Sequence, residues 1–119
     1  MKYIVISSFL FSLIFVGCAT TARDTFYWGN YSLTLYDYKK NPDEITLENH
    51  KKEIISVIEI SEKKNKMVPP GLFAEYGYLL LKEGNEDEGF LYFNKEIELY
   101  PESAIFITKI KEEYSKGAK

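Results

Sequence analysis

Hydrophobic side chains recur every three or four residues along most of the chain, which is the spacing of amphipathic helices. A first stripe of this kind is predicted to end at Asn41-Pro42-Asp43, because proline disfavours a helical residue before it. A second helix is predicted to continue to about Lys66, with Thr46 as its cap. The first stripe holds Trp28, Tyr31, Leu35 and Tyr38, and the second holds Leu47, His50, Ile54, Val57, Ile58 and Ser61.

Proline and glycine divide the C-terminal half into three more predicted helices. Pro69-Pro70-Gly71 precedes the helix Leu72–Lys82, and the turn Glu83-Gly84-Asn85 leads to the helix Glu86–Tyr100, which Pro101 stops. The last helix is predicted from about Ser103 to Lys116, with Gly117 at its end. One face of it carries Phe106, Ile107, Ile110 and Tyr114. The chain is therefore predicted to be all-α, with about five helices in antiparallel hairpins.

The segment from Pro70 to Ser103 has the length of a tetratricopeptide repeat, about 34 residues. Two glycines would let its helices approach closely, and bulky side chains would fill the seam between them. The positions that match the repeat are Phe73, Tyr76, Gly77, Leu80, Gly89, Phe93 and Pro101. The competing interpretation is an ordinary helical hairpin with an aromatic core. Such repeats need about three units for a continuous core, so another protein is expected to complete the apolar surface.

The N-terminus has the pattern of an export signal. Lys2 precedes an apolar run over residues 3–16, which is too short to favour a membrane-spanning helix. The run ends in Phe15-Val16-Gly17-Cys18, which resembles the lipobox of bacterial lipoproteins. That resemblance implies cleavage between Gly17 and Cys18, a diacylglyceryl group on the thiol, and a further acyl chain such as palmitate on the new amine.

Three segments follow from this interpretation. Residues 1–17 are the signal peptide, residues 18–26 are the lipidated cysteine and a tether, and residues 27–119 are the helical, tetratricopeptide-like domain. Ala19 is not the aspartate that resembles an inner-membrane retention signal, so we expect the outer membrane, on its periplasmic side. The alternatives are an uncleaved anchor helix and a Cys18 side chain buried in the core.

Composition argues against most chemistry. The net charge of −3 offers no basic face for nucleic acid. His50 is the single histidine and Cys18 the single cysteine, which excludes Cys/His catalysis and multi-histidine metal sites. We therefore expect no catalytic residues, cofactor, metal or small-molecule substrate, and a partly buried, structural His50. The aromatic cluster around Trp28 and Tyr31 is a core seam, or alternatively a contact with the bilayer or with a partner protein.

The sequence also resembles an uncharacterised family of small bacterial lipoproteins, a domain of unknown function of the 4810 type. Members of that family look like companions of other lipoproteins, one of them similar to the curli secretion channel. The resemblance is carried by the Cys18 lipobox, the segment Tyr27-Trp28-Gly29-Asn30-Tyr31 with Leu35-Tyr36, Pro70-Gly71 with Ala74-Glu75-Tyr76-Gly77, and Phe93-Asn94-Lys95-Glu96 before Pro101.

These observations lead to one expected function and two alternatives. The protein is expected to be a scaffold or accessory subunit of an outer-membrane assembly, held by its lipid and bound to a protein partner such as a channel-like lipoprotein. It is alternatively a periplasmic activator or pilotin-like carrier that binds a peptide in the concave groove of the repeat. An envelope hydrolase that uses carboxylates is the third interpretation.

Overall fold

The computed structural model describes residues 25–117 as a bundle of five α-helices. The helices are α1 (Tyr31–Lys40), α2 (Glu44–Lys63), α3 (Leu72–Lys82), α4 (Glu86–Leu99) and α5 (Ala104–Gly117), with a short 3₁₀ turn at Pro101–Ser103. An isolated parallel bridge between Phe26 and Met67 is the sole β-type pairing within these residues. The predicted all-α fold with five helices is confirmed. The signal segment, Cys18 and the tether as far as residue 24 lie outside the described residues.

Both boundaries of α2 differ from the prediction. The cap of α2 is Asp43, not Thr46: the Asp43 carboxylate accepts the backbone N–H of Thr46, and the Thr46 hydroxyl accepts the N–H of Asp43. This reciprocal arrangement starts the helix three residues earlier than Thr46 alone would. At the other end, α2 stops at Lys63 because Asn65 adopts a left-handed conformation, which lets the N–H of Lys66 reach the carbonyl of Ser61.

The core consists of two apolar clusters joined through α3. The first lies between α2, the segment before α3, and α3 itself; the second joins α3, α4 and α5. The first contains Ile54, Val57, Ile58, Val68, Leu72, Phe73 and Leu79, and the second contains Ala74, Leu81, Phe93 and Ile107. The predicted apolar face of α5 needs one correction. Ile107 is buried, but Phe106 is 61% exposed, because it lies at an open groove and not in the core.

The α3–α4 hairpin is the tightest contact in the bundle. A Cβ atom added to Gly77 would lie 2.7 Å from the carbonyl oxygen of Gly89, and one added to Gly89 would lie 2.9 Å from the carbonyl oxygen of Gly77. Neither position therefore has room for a side chain. Both glycines are in helices, so their role is close approach of two backbones and not an unusual turn.

Candidate functional site

A buried polar network holds α1 against α2 and α3. The His50 ring is fully buried, with Nδ1 2.9 Å from the Thr34 hydroxyl and Nε2 3.1 Å from the Glu75 carboxylate. The Tyr31 hydroxyl donates to the second oxygen of Glu75 at 2.6 Å. His50 also lies between two rings, stacked on Tyr38 and tilted against Tyr31. The network therefore joins three helices through side chains that satisfy one another.

The Thr34 hydroxyl has two possible hydrogen-bond partners in this network. Thr34 has one hydroxyl proton, and it lies within reach of both the Tyr31 carbonyl and His50 Nδ1. If Thr34 donates to His50, a neutral ring can still donate its Nε2–H to Glu75. If it donates to the Tyr31 carbonyl, Nδ1 must carry a proton as well. Both arrangements leave every member of the network hydrogen-bonded.

The same hydrogen bonds shift the acidity of two groups. Burial opposes ionisation of Glu75, but the hydrogen bonds from His50 and Tyr31 outweigh it and hold the pKa of Glu75 below its usual value. Burial and the bond to the Glu75 carboxylate raise the pKa of Tyr31. The sequence predicts a partly buried His50, but its side chain is fully buried, since no part of it reaches solvent. A proton held there has no direct path to a substrate.

Acid is expected to weaken this network. Because the pKa of Glu75 is lower in the folded state, its contribution to stability is complete above the unfolded value of about 4.5 and is lost as pH falls below it. Glu75→Gln should therefore give an unfolding free energy that depends less on pH in this range than the parent's. Urea unfolding at a series of pH values measures this. Glu112→Gln, on the exposed face of α5, is the control and should keep the parental pH dependence.

A second buried carboxylate caps α3 from another helix. Gly71, the N-cap of α3, has a left-handed backbone and no side chain with which to cap the helix. Glu96 of α4 takes over that role: its oxygens accept the N–H of Gly71 at 2.7 Å and of Ala74 at 3.3 Å. A carboxylate at this end also complements the helix dipole. At the C-cap of α4, the Tyr100 hydroxyl donates to the Val68 carbonyl at 2.6 Å, and burial raises the pKa of Tyr100.

Gly71, Ala74, Glu96 and Tyr100 also line a groove of about 680 Å³ between α3, α4 and α5. Apolar surface in the groove comes from Ala74, Tyr78, Phe106 and Ile110, of which Phe106 is the most exposed. The complete lining is Pro70, Gly71, Ala74, Glu75, Tyr78, Glu96, Tyr100, Glu102, Ser103, Phe106, Ile110 and Glu113. The size is that of a pocket for a small molecule or a few side chains of a peptide.

All the charged side chains that line this groove are acidic. Four glutamates line it, and no lysine, arginine or histidine does. Glu75 and Glu96 are used internally, in the polar network and the α3 cap. The carboxylates of Glu102 and Glu113 form no hydrogen bond or ion pair with any residue in the range 25–117. We name this site, with its twelve lining residues, the acidic groove. Its electrostatics favour a cationic group beside an apolar one.

The predicted packing residues meet in the α3–α4 hairpin. Gly77 and Gly89 face one another, and Phe93 is buried against both helices. Phe73 and Leu80 are buried, Tyr76 packs edge-on against Tyr92, and Pro101 follows the end of α4.

The aromatic cluster of the first helix is split by the structure. Trp28 precedes α1 and is 42% exposed, so the predicted stripe begins at Tyr31. Tyr31 turns inward to Glu75. Phe26, the last residue of the predicted tether, pairs with Met67 and packs edge-on against Trp28.

Sequence reasoning missed the roles of Glu75, Glu96, Glu102 and Glu113. Glu96 alone left a signal, as a charge within the otherwise apolar stripe Gly89, Phe93 and Tyr100.

Residues 25–117 contain neither a metal-binding cluster nor a helix suited to crossing a bilayer. Between residues 25 and 117, no cluster of three or more histidine, cysteine or acidic side chains is arranged to hold a metal ion. Over the same stretch, no helix combines the length and the apolar character that crossing a bilayer requires.

The fold and the groove define a small all-α protein whose most distinctive surface is an acidic cleft between helical hairpins. The sequence profile of a family described as a domain of unknown function, DUF4810, matches residues 25–110. The match covers most of the chain, and the protein belongs to this family. No curated protein and no solved structure matches the sequence.

Proposed function

We propose that this protein is a non-enzymatic, lipid-anchored binding subunit of an outer-membrane assembly, and that it holds a segment of a partner protein in the acidic groove. The observation that carries the proposal is the composition of that groove, which is lined by apolar side chains and carboxylates and by no basic side chain. A scaffold needs such an exposed and chemically distinctive surface. An enzyme of this size would need a reactive group with access to its substrate, and His50 has none.

The lining favours a particular kind of segment. An apolar side chain would pack between Tyr78, Phe106 and Ile110, and an adjacent lysine or arginine would pair with Glu102 or Glu113. Charge-assisted hydrogen bonds to carboxylates are stronger than neutral ones, and a partly apolar surrounding strengthens them further. Phe106 has the features of an interface anchor, since it is a large aromatic side chain that is mostly exposed in the free protein.

A tetratricopeptide-like arrangement is part of the same proposal. It is supported by the contact of Gly77 with Gly89, by the buried Phe93 in the hairpin and by Pro101 after α4. In such an arrangement α5 is the capping helix, and the acidic groove is the concave surface between α3 and α5. The hairpin and its cap leave Phe106 exposed, at 61%, which fits an array that is completed by a partner.

The proposed lipid anchor is supported by the sequence alone. The short apolar run that ends in Gly17-Cys18 supports lipidation of Cys18, and Ala19 supports the outer membrane. Two acyl chains are enough for stable attachment, whereas one is marginal. The family resemblance suggests a partner similar to the curli secretion channel or another lipoprotein. The acidic groove also favours a second candidate, a pilotin-like carrier, which would bind an isolated cationic peptide without the rest of the partner.

Crosslinking and affinity purification from native membranes test the proposal. We expect the parent protein to recover a specific partner, and the double variant Glu102→Lys/Glu113→Lys to recover about ten-fold less, because it reverses the charge at the groove. Ile105→Asp is the matched control: Ile105 is exposed on the same helix as Phe106 but does not line the groove. It should retain the partner.

Each arm of this experiment reports on a different part of the proposal. Cys18→Ser should lose the acyl chains, detected by mass, and should lose the partner if attachment to the membrane is needed for assembly. Equal recovery by the charge-reversed and parent proteins would contradict a role for the groove. Recovery of the parent as a monomer would contradict the proposed assembly. Binding of an isolated lysine-rich peptide to the purified protein would favour the carrier over the scaffold.

A further inference from the structure

The outer surface of α1 and the turn before it form an exposed apolar face. Leu33 is 60% exposed and Tyr36 59%, and they lie three residues apart on the same side of the helix. Trp28 precedes them, and its ring is positioned by contacts with Phe26 and Tyr31 at centroid distances of 6.5 and 5.4 Å. We name Trp28, Leu33 and Tyr36 the α1 face. It points away from the His50 network, which occupies the inner side of the helix.

Lysines lie on both sides of this face. Lys40 Nζ is 5.7 Å from the centre of the Tyr36 ring, and Lys64 Nζ is 4.6 Å from the ring of Tyr27, the neighbour of Trp28. Lys39 is exposed in the same last turn as Lys40, and Asp37 is the one acidic side chain of α1. Tyrosine and tryptophan are enriched at the boundary between bilayer and water, where lysine reaches the lipid phosphates.

The position of the face along the chain brings it close to the membrane. α1 is the first helix after the predicted tether, and Ala19 to Asp24 are the residues between Cys18 and the described structure. A segment of that length reaches at most about 20 Å, at roughly 3.3–3.6 Å per residue. A lipid on Cys18 would therefore hold this face within reach of the headgroups. No other exposed apolar side chain of the described helices is so near in sequence to the anchor.

We propose that the α1 face rests on the bilayer interface, with Trp28, Leu33 and Tyr36 among the headgroups and the neighbouring lysines on lipid phosphates. The inference rests on the proposed lipid anchor, and it adds a second contact that orients the domain. Apolar side chains of interfacial helices enter about 5–10 Å into the boundary between headgroups and acyl chains. Three such side chains are too few to hold the protein alone, but they are enough to fix its orientation once the lipid is inserted.

The single tryptophan of the chain makes the proposal measurable. We would reconstitute the full chain, extracted from membranes, into vesicles of phosphatidylcholine with a minor fraction of phosphatidylglycerol. We expect Trp28 emission to move to shorter wavelength than in detergent-free, unfolded protein, and to be quenched by lipids brominated near the headgroup but weakly by aqueous acrylamide. The double variant Leu33→Glu/Tyr36→Glu should lose most of the lipid quenching, whereas Ile105→Glu on α5 should keep it.

The outcomes separate this proposal from the previous one. The mass of the extracted protein reports acylation of Cys18 independently of where Trp28 lies. An acylated protein whose Trp28 is quenched by acrylamide and not by brominated lipid would overturn the inference and leave the anchor intact. A Trp28 that is shielded from both quenchers would also overturn it, because a protein surface and not lipid would then cover the face.

Discussion

Gly77→Val is expected to lower the free energy of unfolding by about 3 kcal/mol, at the upper end of the cost of overpacking a core. A Cβ atom at residue 77 would lie 2.7 Å from the Gly89 carbonyl oxygen and 2.9 Å from the Phe93 ring. The Phe93 ring is buried, and the oxygen belongs to a helix backbone, so neither can yield as the end of a flexible side chain could. The hairpin must separate, which would also widen the acidic groove above it.

Urea unfolding followed by far-ultraviolet circular dichroism, on the full chain in mild detergent, measures this loss. Gly117→Val is the matched control, because a Cβ atom at the end of α5 would meet nothing within 4 Å. We expect it to change the unfolding free energy by no more than about 0.5 kcal/mol. Equal midpoints for Gly77→Val and the parent protein would mean that α3 and α4 do not approach as closely as the structure has them.

Much of the fold could be predicted because its signals are local. Pro42, Pro69-Pro70-Gly71 and Pro101 act on the residues beside them, so the helix breaks could be located within a few positions. The errors occurred where two local signals competed. Asp43 and Thr46 are both good caps, and only their reciprocal bonds make Asp43 the boundary. Trp28 has the spacing of the α1 stripe, but Gly29, in a left-handed conformation, places it outside the helix.

The acidic groove could not be predicted, because its carboxylates come from three helices and from the 3₁₀ turn between two of them. Glu75, Glu96, Glu102 and Glu113 are separated in the sequence and share a surface only after α3, α4 and α5 have packed. Each has an ordinary local explanation as a solvated helix residue. The His50 network has the same property: its partner Glu75 is 25 residues away, and periodicity alone predicts burial of the ring but not its bonds.

Glu75 belongs to both sites and therefore connects them. One side of its carboxylate bonds to His50 and Tyr31, and the residue also lines the acidic groove, with its side chain 28% exposed. A cationic group in the groove would share this carboxylate with the network that holds α1. The Glu75 side chain thus connects the acidic groove to α1, the helix nearest the predicted anchor. The acidic groove and the His50 network are therefore not independent of each other in this small domain.

Glu96→Ala is expected to be as damaging as the glycine substitution, with a loss of about 2–4 kcal/mol in the free energy of unfolding. Removing the carboxylate leaves the buried N–H of Ala74 and the partly buried N–H of Gly71 without their acceptor, and an unsatisfied buried group costs about 1–3 kcal/mol. Gly71 has no side chain to replace the lost cap. Thermal or urea unfolding measures the effect, and Glu98→Ala, an exposed glutamate of the same helix, is the control.

Glu96→Gln separates the two parts of this effect, because it keeps a side chain of the same size and one acceptor oxygen. If Glu96 acts as a cap, glutamine should accept one of the two N–H groups while its own NH₂ faces the other, which gives a loss smaller than that of alanine but well above the control. If volume alone matters, glutamine should be as stable as the parent. That result, or an equal loss from Glu98→Ala, would contradict the assignment of Glu96 as the residue that starts α3.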